Sequence, residues 1–561
     1  MEQIEKLITK IISSEFNAET RPTITTPDTK FGDFTTNVAM QLAGQLDKTP
    51  RDVAEQITEK LIEHGLMAEV AGPGFINITV SAQLLKKQLD SNWHDKYGDS
   101  TDSNGKTAIV EYPSQNMAKP YSVGHLRPGS QGWAAKKLLE STGWKVITDN
   151  HLGDYGAPFG IWVVGFLKLS SREALESEGV YELGRVYIET KKLLKEEKEA
   201  GKSDLSNEVQ DWLLRLENGD EEAVSYSNIF NEISLKHIHI IMDRLKISTD
   251  YELGESFFAS KGKDLVKKYL EDGTFDRNSD GSVIARLDEY GIETPLLVLK
   301  SNGAALYATT DLATMVYREE EFQPDKVIYA VGSEQKFYFE QLFALAKKID
   351  IKSDLYHLWF GVIDQMNEDG TREKMSSRKG VILMEELLNQ AESRARDLVS
   401  GRDVDDEDIK KIALGAIKFS DFAADRRTNI LFDWNTIFAL TGFSGPYVQY
   451  AAVRVNKILS DHRDFEVVDY SDYNYEEEKP LIKLAVDYPN IVRHAAENLE
   501  PHKISFFLHN LAKEVNKYYE KVPVKDSSNI ERSARLDTLK KVSQIFEHAL
   551  DILGIEIPSK M

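Results

Sequence analysis

Between residues 105 and 150 the chain reads as strand, polar loop, helix and strand. Ala108-Ile109-Val110 is a short apolar strand. Residues 129–143 place Ala134 and Leu138, and Ala135 and Leu139, four apart, the spacing of one helix face. Gly143 closes that helix before Val146-Ile147 begins another strand. Two strands joined through a helix pair in parallel, and a parallel sheet is covered by helices on its faces. The alternation returns later. Val327–Val331 reads as a strand, Phe339, Leu342, Phe343 and Ala346 line a helix, and Tyr356 to Ile363 reads as a further strand.

The flanks have other textures. Ile4, Leu7, Ile8, Ile11 and Ile12 mark one buried helix face near the start, and Thr49-Pro50-Arg51 announces a second helix running to about Gly65. Val70 to Ile78 reads as a turn into a strand, and the polar run 98–105 closes this small α+β unit. Residues 165–255 interrupt the parallel-sheet pattern as a charged helical insertion of mixed sign, a solvated face rather than a nucleic-acid patch. From about 400 onward the periodicity is helical, with segments at 409–417, 447–459, 478–499, 504–521 and 532–552. The expected fold is multidomain α/β plus α. It has a small α+β N-terminal domain (1–104), a Rossmann-like parallel-sheet domain (105–398, insertion about 165–255) and a C-terminal all-α helical bundle (399–561).

Composition bounds the chemistry. The 561 residues suffice for three or four domains at about 150 residues each. Apolar residues at 41% and charged residues at 29% suit a globular chain. There is no cysteine, which excludes disulfides, thiolate metal sites and cysteine nucleophiles, and suits a reducing cytoplasm. No apolar run approaches a membrane span, and Met1-Glu2-Gln3-Ile4-Glu5-Lys6 lacks a signal-peptide pattern, so a cytoplasmic location is expected. A formal charge of −23 argues against general nucleic-acid binding and leaves only a local basic surface for that purpose.

Three tempting patterns fail. Gly201-Lys202-Ser203 ends like a phosphate loop, but Glu196 stands where its first glycine belongs. No G-x-G-x-x-G follows a strand. His237 and His239 are two apart, on opposite sides of a helix, which suits packing and not metal binding. No metal site is expected.

Two clusters carry the chemistry. Residues 114–127, Ser-Gln-Asn-Met-Ala-Lys-Pro-Tyr-Ser-Val-Gly-His-Leu-Arg, join the carboxyl end of a strand to a helix start, where open α/β sheets bind ligands. Gly124 admits a nucleotide close to the backbone, the helix N-terminus favours phosphate, and Lys119 and His125 add donors. Lys374-Met375-Ser376-Ser377-Arg378-Lys379-Gly380 is a basic, glycine-closed loop suited to triphosphate charge. Either cluster alone could be a capped turn or an exposed charged loop.

Together they resemble the two hallmark motifs of class I aminoacyl-tRNA synthetases. Further stretches resemble the arginyl-tRNA synthetase family: Asn150-His151-Leu152-Gly153-Asp154-Tyr155-Gly156 through Gly160, Tyr307-Ala308-Thr309-Thr310-Asp311, and Gly445-Pro446-Tyr447-Val448-Gln449-Tyr450-Ala451. Gly32 to Ala39 and the ending Leu553 to Met561 match as well, so the resemblance covers essentially the whole chain in the family's order.

The resemblance implies ATP-dependent activation of L-arginine and its transfer to the terminal adenosine of tRNA(Arg), with Mg2+ accompanying ATP and no structural metal. It implies an arginine site of Ser114, Gln115, Asn116, His125, Asn150, Tyr307, Asp311 and Gln335, and ATP contacts from Ser122, Gly124, His125, Lys374, Met375 and Ser376. His125, Lys119 and Lys374 are the expected catalytic groups. Phe75 and Asn77, then Tyr447, Tyr450, Arg454 and Met561, are the expected tRNA contacts at the elbow and the anticodon. The remaining expectations are a monomer that activates arginine only with tRNA bound, and no membrane partner. Chemistry agrees at Asp311, because a carboxylate accepts two parallel bonds from a guanidinium, and Tyr307 shares its helix face.

Three departures from the family pattern stand out. Ser122 replaces a histidine, Ala157-Pro158 replaces Thr-Gln with Tyr155 for Trp, and Ser377 stands where a second loop lysine is usual. The last makes Lys119 the expected replacement cation, because the family places a compensating lysine there. Two other readings are a class I synthetase for another amino acid, which Tyr307 and Asp311 weigh against, and a catalytically silent tRNA-binding paralogue. Gly124, His125, Lys119, Asp311 and Lys374 weigh against the second.

Overall fold

A computed structural model describes residues 2–25, 27, 31–156, 158–366, 371–375 and 382–561, excluding the side chains of residues 2 and 3. The chain divides into two compact units. One comprises residues 1–97, 454–490 and 513–545; the other comprises 98–453, 491–512 and 546–561.

The first unit holds a four-stranded antiparallel sheet in the order Ile24–Thr25, Phe34–Thr36, Phe75–Thr79, Met67–Ala71. The helix Glu2–Phe16 buries Ile4, Ile8, Ile11 and Ile12, as their spacing predicts. Thr49 caps the helix Pro50–Glu63 by accepting the Asp52 N–H at 3.2 Å, with proline in the first turn. Val70 belongs to a strand and not to the expected turn: it pairs with Ile76 across a hairpin that turns at residues 72–74.

The second unit is built on four parallel strands in the order Asp354–His357, Lys326–Tyr329, Thr107–Glu111, Lys145–Asp149. The helix Leu126–Glu140 connects the last two, so the strand–helix–strand reading holds. Gly132 lets that helix lie on the loop below it, since a Cβ there would meet the Tyr112 ring at 2.4 Å. The insertion is helical, running from Pro158–Leu169 to Glu221–Arg244 around Phe159, Trp162, Trp212 and Phe230. Ser203 opens the helix Asp204–Glu217, and the helix Val180–Glu199 precedes it where a phosphate loop has a strand.

Two corrections follow. The expected strand Tyr356 to Ile363 is two strands in different sheets: Asp354–His357 stays in the parallel sheet, and Ile363–Met366 starts another. The latter pairs antiparallel with Arg372–Lys374 and parallel with Ile430–Phe432. The region past 400 is therefore not entirely helical. Three residues are too few to disturb the helical periodicity around them. An antiparallel sheet of Asp276–Arg277, Val283–Leu287 and Ile292–Leu299 also went unseen. Past residue 445 the helices are Gly445–Asp461, Lys479–Asn498, His502–Lys521 and Asn529–Ile552. Among the described residues no helix is long and apolar enough to cross a membrane.

Candidate active site

The strand order reverses between Thr107–Glu111 and Lys326–Tyr329. From the first the chain crosses to Lys145–Asp149 on one side, and from the second to Asp354–His357 on the other. Loops leaving two such strands part company and open a crevice at their carboxyl ends. The register Glu111 to Tyr329 brings both loops out level.

Two cavities occupy that crevice. The larger, 460 Å³, is lined by Glu111, Ser114, Asn116, His125, His151, Glu255, Tyr307, Asp311, Gln335 and Tyr338. The smaller, 150 Å³, is lined by Gly124, Arg127, Glu334, Phe360 to Ile363, Lys374 and Met375. Pro128 and Gly332 border both.

The larger cavity is acidic. Tyr307 and Asp311 open the helix Tyr307–Phe322 and share its cavity face. Asp311 accepts the Tyr338 hydroxyl, and burial raises its carboxyl above the usual range against the opposing pull of His151 and Tyr338. Burial, reinforced by Asp311 and Asp154, pushes Glu255 up to about 8. Glu111 is neutralised beneath the floor by Arg318, which lies 2.8 Å from it and 2.7 Å from Asp149. Both ring nitrogens of His151 are buried without a hydrogen-bond partner among the described residues, and Nε2 lies 4.0 Å from Asp311 Oδ1. Carboxylates with unmet acceptor capacity on a concave wall suit a planar polydentate cation such as a guanidinium.

His125 stands at the edge of this cavity. Burial, then the charge of Lys119, lowers its imidazole to about 4. The ring is therefore neutral at pH 7. The Ser122 N–H donates to Nδ1 at 3.3 Å, which places the remaining ring proton on Nε2. Ser122 thus orients the histidine, and its hydroxyl lies 3.2 Å from the same nitrogen.

The smaller cavity begins at Gly124, where an added Cβ would meet only the Ser122 hydroxyl at 3.4 Å, leaving the backbone open to a ligand. The helix Leu126–Glu140 starts two residues later, and helix N-termini favour phosphate. Lys374 ends the hairpin strand Arg372–Lys374, and Met375 continues it by donating its N–H to Ile363 O at 2.8 Å. Its side chain is buried in the core.

Most of the expected small-molecule site comes together here, with five qualifications. Ser122, an expected ATP contact, lines neither cavity and bonds His125 instead. Gln115 is buried and lines neither cavity. Asn150 is also buried and acts one step back, its Oδ1 accepting the Ser114 N–H at 3.1 Å; Ser114 has a left-handed φ of 54°. Lys119 is exposed, lines neither cavity, and rests its ammonium 5.1 Å from the Tyr187 ring. Ser376 and Ser377 lie outside the described residues, as does Ala157.

None of the expected tRNA contacts lines either cavity. Phe75 is 40% exposed, whereas Asn77 is buried within its sheet, between Thr35 and Glu69. Tyr447 and Tyr450 are half-buried, the first 5.5 Å from the His509 ring and the second 6.0 Å from the Arg402 guanidinium. Met561 packs on the core of the second unit. Arg454 belongs to the first unit, where it donates to Asn516 Oδ1 at 2.6 Å. Sequence reasoning missed Glu255, Tyr338 and Glu111, and quoted His151 without giving it a role. Each reaches the cavity from its own element, so no spacing ties them to Asp311.

A parallel sheet with a glycine–histidine turn at its switch point and a Lys-Met hairpin across the cleft has the form of a class I aminoacyl-tRNA synthetase. The family model for tRNA synthetases class I (R), catalytic domain, matches residues 88–434. The arginyl tRNA synthetase N-terminal domain matches 2–80, and the DALR anticodon binding domain matches 448–561. A curated arginine–tRNA ligase of Streptococcus pneumoniae (strain Hungary19A-6) is 35% identical over 537 residues, 93% of each chain. The fold is shared with Thermus thermophilus arginyl-tRNA synthetase (TM-score 0.80, 22% identity, all of both chains). It is shared equally with the Plasmodium falciparum arginyl-tRNA synthetase (TM-score 0.79, 22% identity, 100% and 99% covered). The chain belongs to the arginyl-tRNA synthetase family, an enzyme family as the motifs implied.

Proposed function

We propose that this chain is an arginine–tRNA ligase that binds L-arginine in the larger cavity and ATP in the smaller. The two would meet at Gly332 and Pro128. The arginine carboxylate attacks the α-phosphate there, the bond to the leaving pyrophosphate breaks, and arginyl-adenylate forms. A hydroxyl of the terminal adenosine of tRNA(Arg) then attacks the arginyl carbonyl and releases AMP. No side chain becomes covalently attached, so the protein contributes position and charge. Asp311 and Glu255 receive the guanidinium, Tyr307 and Gln335 flank it, and Ser114 and Asn116 hold the α-carbon end. His125, neutral with a proton on Nε2, donates towards the reacting oxygens. Mg2+ arrives on the ATP phosphates. Among the described residues no cluster of three or more His, Asp or Glu is placed to hold a metal.

The supporting observation is adjacency: the acidic cavity opens at Gly332 onto the cleft that begins at Gly124. The N-terminal part would hold the tRNA elbow through exposed Phe75, and the C-terminal helices the anticodon loop through Tyr447, Tyr450, Arg454 and Met561. The enzyme would act as a cytoplasmic monomer and activate arginine only with tRNA bound, an induced-fit arrangement. Arginine-dependent ATP–pyrophosphate exchange, run with and without tRNA(Arg), tests the whole reading, and robust exchange without tRNA would contradict the last point. Asp311→Asn tests the pocket by keeping shape and removing charge. Its kcat/KM for arginine should fall by about 2–5 kcal/mol, and unchanged kinetics would remove Asp311 from the site.

A further inference from the structure

We propose that Glu334 is a positioning residue that holds Lys374 away from the nucleotide until arginine is in place. The proposal rests on the assignment of ATP to the smaller cavity and arginine to the larger. Glu334 and Gln335 are consecutive residues of one 3₁₀ turn, Ser333–Gln335, just after the strand Lys326–Tyr329. Glu334 lines the nucleotide cleft, and Gln335 lines the arginine cavity. One short turn therefore touches both substrates.

The two oxygens of Glu334 have separate positions. Oε1 accepts from Lys374 Nζ at 2.6 Å. Oε2 lies over Gly332, where an added Cβ would sit 2.6 Å from it. Gly332 borders both cavities, so one oxygen of the carboxylate lies beside the residue at which they meet. The two cations that line the nucleotide cleft, among the described residues, are both engaged. Arg127 is paired with Asp421 and Lys374 with Glu334. A triphosphate entering this cleft meets a carboxylate before it meets an uncommitted cation. Lys374 can reach phosphate only by leaving Glu334, and that exchange is feasible because both side chains are about half exposed. Such pairs shift an equilibrium by only about two- to fivefold. Arginine seated against Gln335 bears on the same turn, which gives the pocket a direct means of loosening Glu334.

The test is equilibrium binding of ATP without tRNA, with and without arginine, on the full chain. Wild type is compared with Glu334→Gln, Glu334→Asp, Lys374→Met and the double variant Glu334→Gln/Lys374→Met. Glu334→Gln should tighten ATP binding about two- to fivefold in the absence of arginine and remove any further gain when arginine is added. Glu334→Asp should keep the wild-type response. The double variant should bind ATP as Lys374→Met alone does, because without the lysine there is nothing to hold. If Lys374→Met weakens ATP while Glu334→Gln leaves it unchanged, the holding role is wrong and the site assignment stands. If Lys374→Met has no effect on ATP even with arginine present, the assignment of the nucleotide cleft fails and this inference fails with it.

Discussion

Arg127 donates its Nε to Asp421 Oδ1 at 2.7 Å, with the two side chains 3% and 0% exposed. The arginine also donates Nη1 to Gly361 O at 2.8 Å and to Thr428 O at 3.0 Å, and Gln131 reaches Asp421 Oδ2 at 3.0 Å. These bonds fix the start of the helix that follows Gly124 against the wall formed by Phe360 to Ile363. Burial raises the Asp421 carboxyl, and the arginine opposes that rise without cancelling it. Removing one partner of a buried pair costs far more than the pair is worth, because the other charge stays behind. Asp421→Ala should therefore destabilise the protein by about 3–5 kcal/mol, read as a shift in the denaturant midpoint. A shift under about 1 kcal/mol would mean that water or a new partner reaches Arg127.

The second prediction concerns pH and the arginine cavity. Burial, with Asp311 and Asp154 nearby, holds Glu255 protonated up to about pH 8. Receiving a guanidinium requires the carboxylate, so below pH 8 binding must release that proton. Arginine affinity should rise with pH, by up to about tenfold per unit between pH 6 and 8, and level off above. In the empty protein the sign is opposite for stability. The folded group keeps a proton that the unfolded carboxyl has lost, so stability falls as pH rises from the ordinary carboxylate range to about 8. Calorimetric titration with arginine in buffers of different ionisation enthalpy should show close to one proton released at pH 7. Glu255→Gln should abolish that release; if the release persists, another group carries it.

What the sequence disclosed divides along physical lines. The parallel sheet was legible because strands buried on both faces and the helix joining them carry strong, distinct periodicities. Gly124, His125 and Lys374 were legible as short motifs on single loops. Asp311 and Tyr307 were legible because four residues on a helix make one face. Glu255 and Tyr338 were not. Each is an ordinary residue at the start of a helix of its own, and only the tertiary fold carries it to Asp311. The strand Ile430–Phe432 failed for a different reason. Its partner lies at Ile363–Met366, and a three-residue pairing that distant has no local signature. The division of labour between Ser114, which lines the cavity, and Asn150, which fixes its backbone, is likewise a product of packing alone.

The last prediction concerns the cation that serves the leaving pyrophosphate. The transition state spreads charge over the α-phosphate and its leaving group, and a donor or cation fixed there is worth about 10²–10³ in rate. Lys374 is paired with Glu334 at rest, and Ser377 carries no charge. Lys119 lies six residues before His125 and close enough to depress its imidazole. Its ammonium rests on the Tyr187 ring of the inserted helix Val180–Glu199 and not in either cavity. A cation–π contact at an exposed site is weak, about 0.5–1 kcal/mol, so a triphosphate should draw the side chain off the ring. Lys119→Met should then lower kcat by at least about 10²-fold with little change in KM for arginine, the pattern of an interaction made in the transition state. Lys119→Arg should retain part of the rate. Tyr187→Leu, which removes only the resting place, should leave kcat near wild type. If Lys119→Met turns over at the wild-type rate, the ammonium stays on Tyr187 throughout the reaction, and a cation from the Lys-Met-Ser loop serves the pyrophosphate instead.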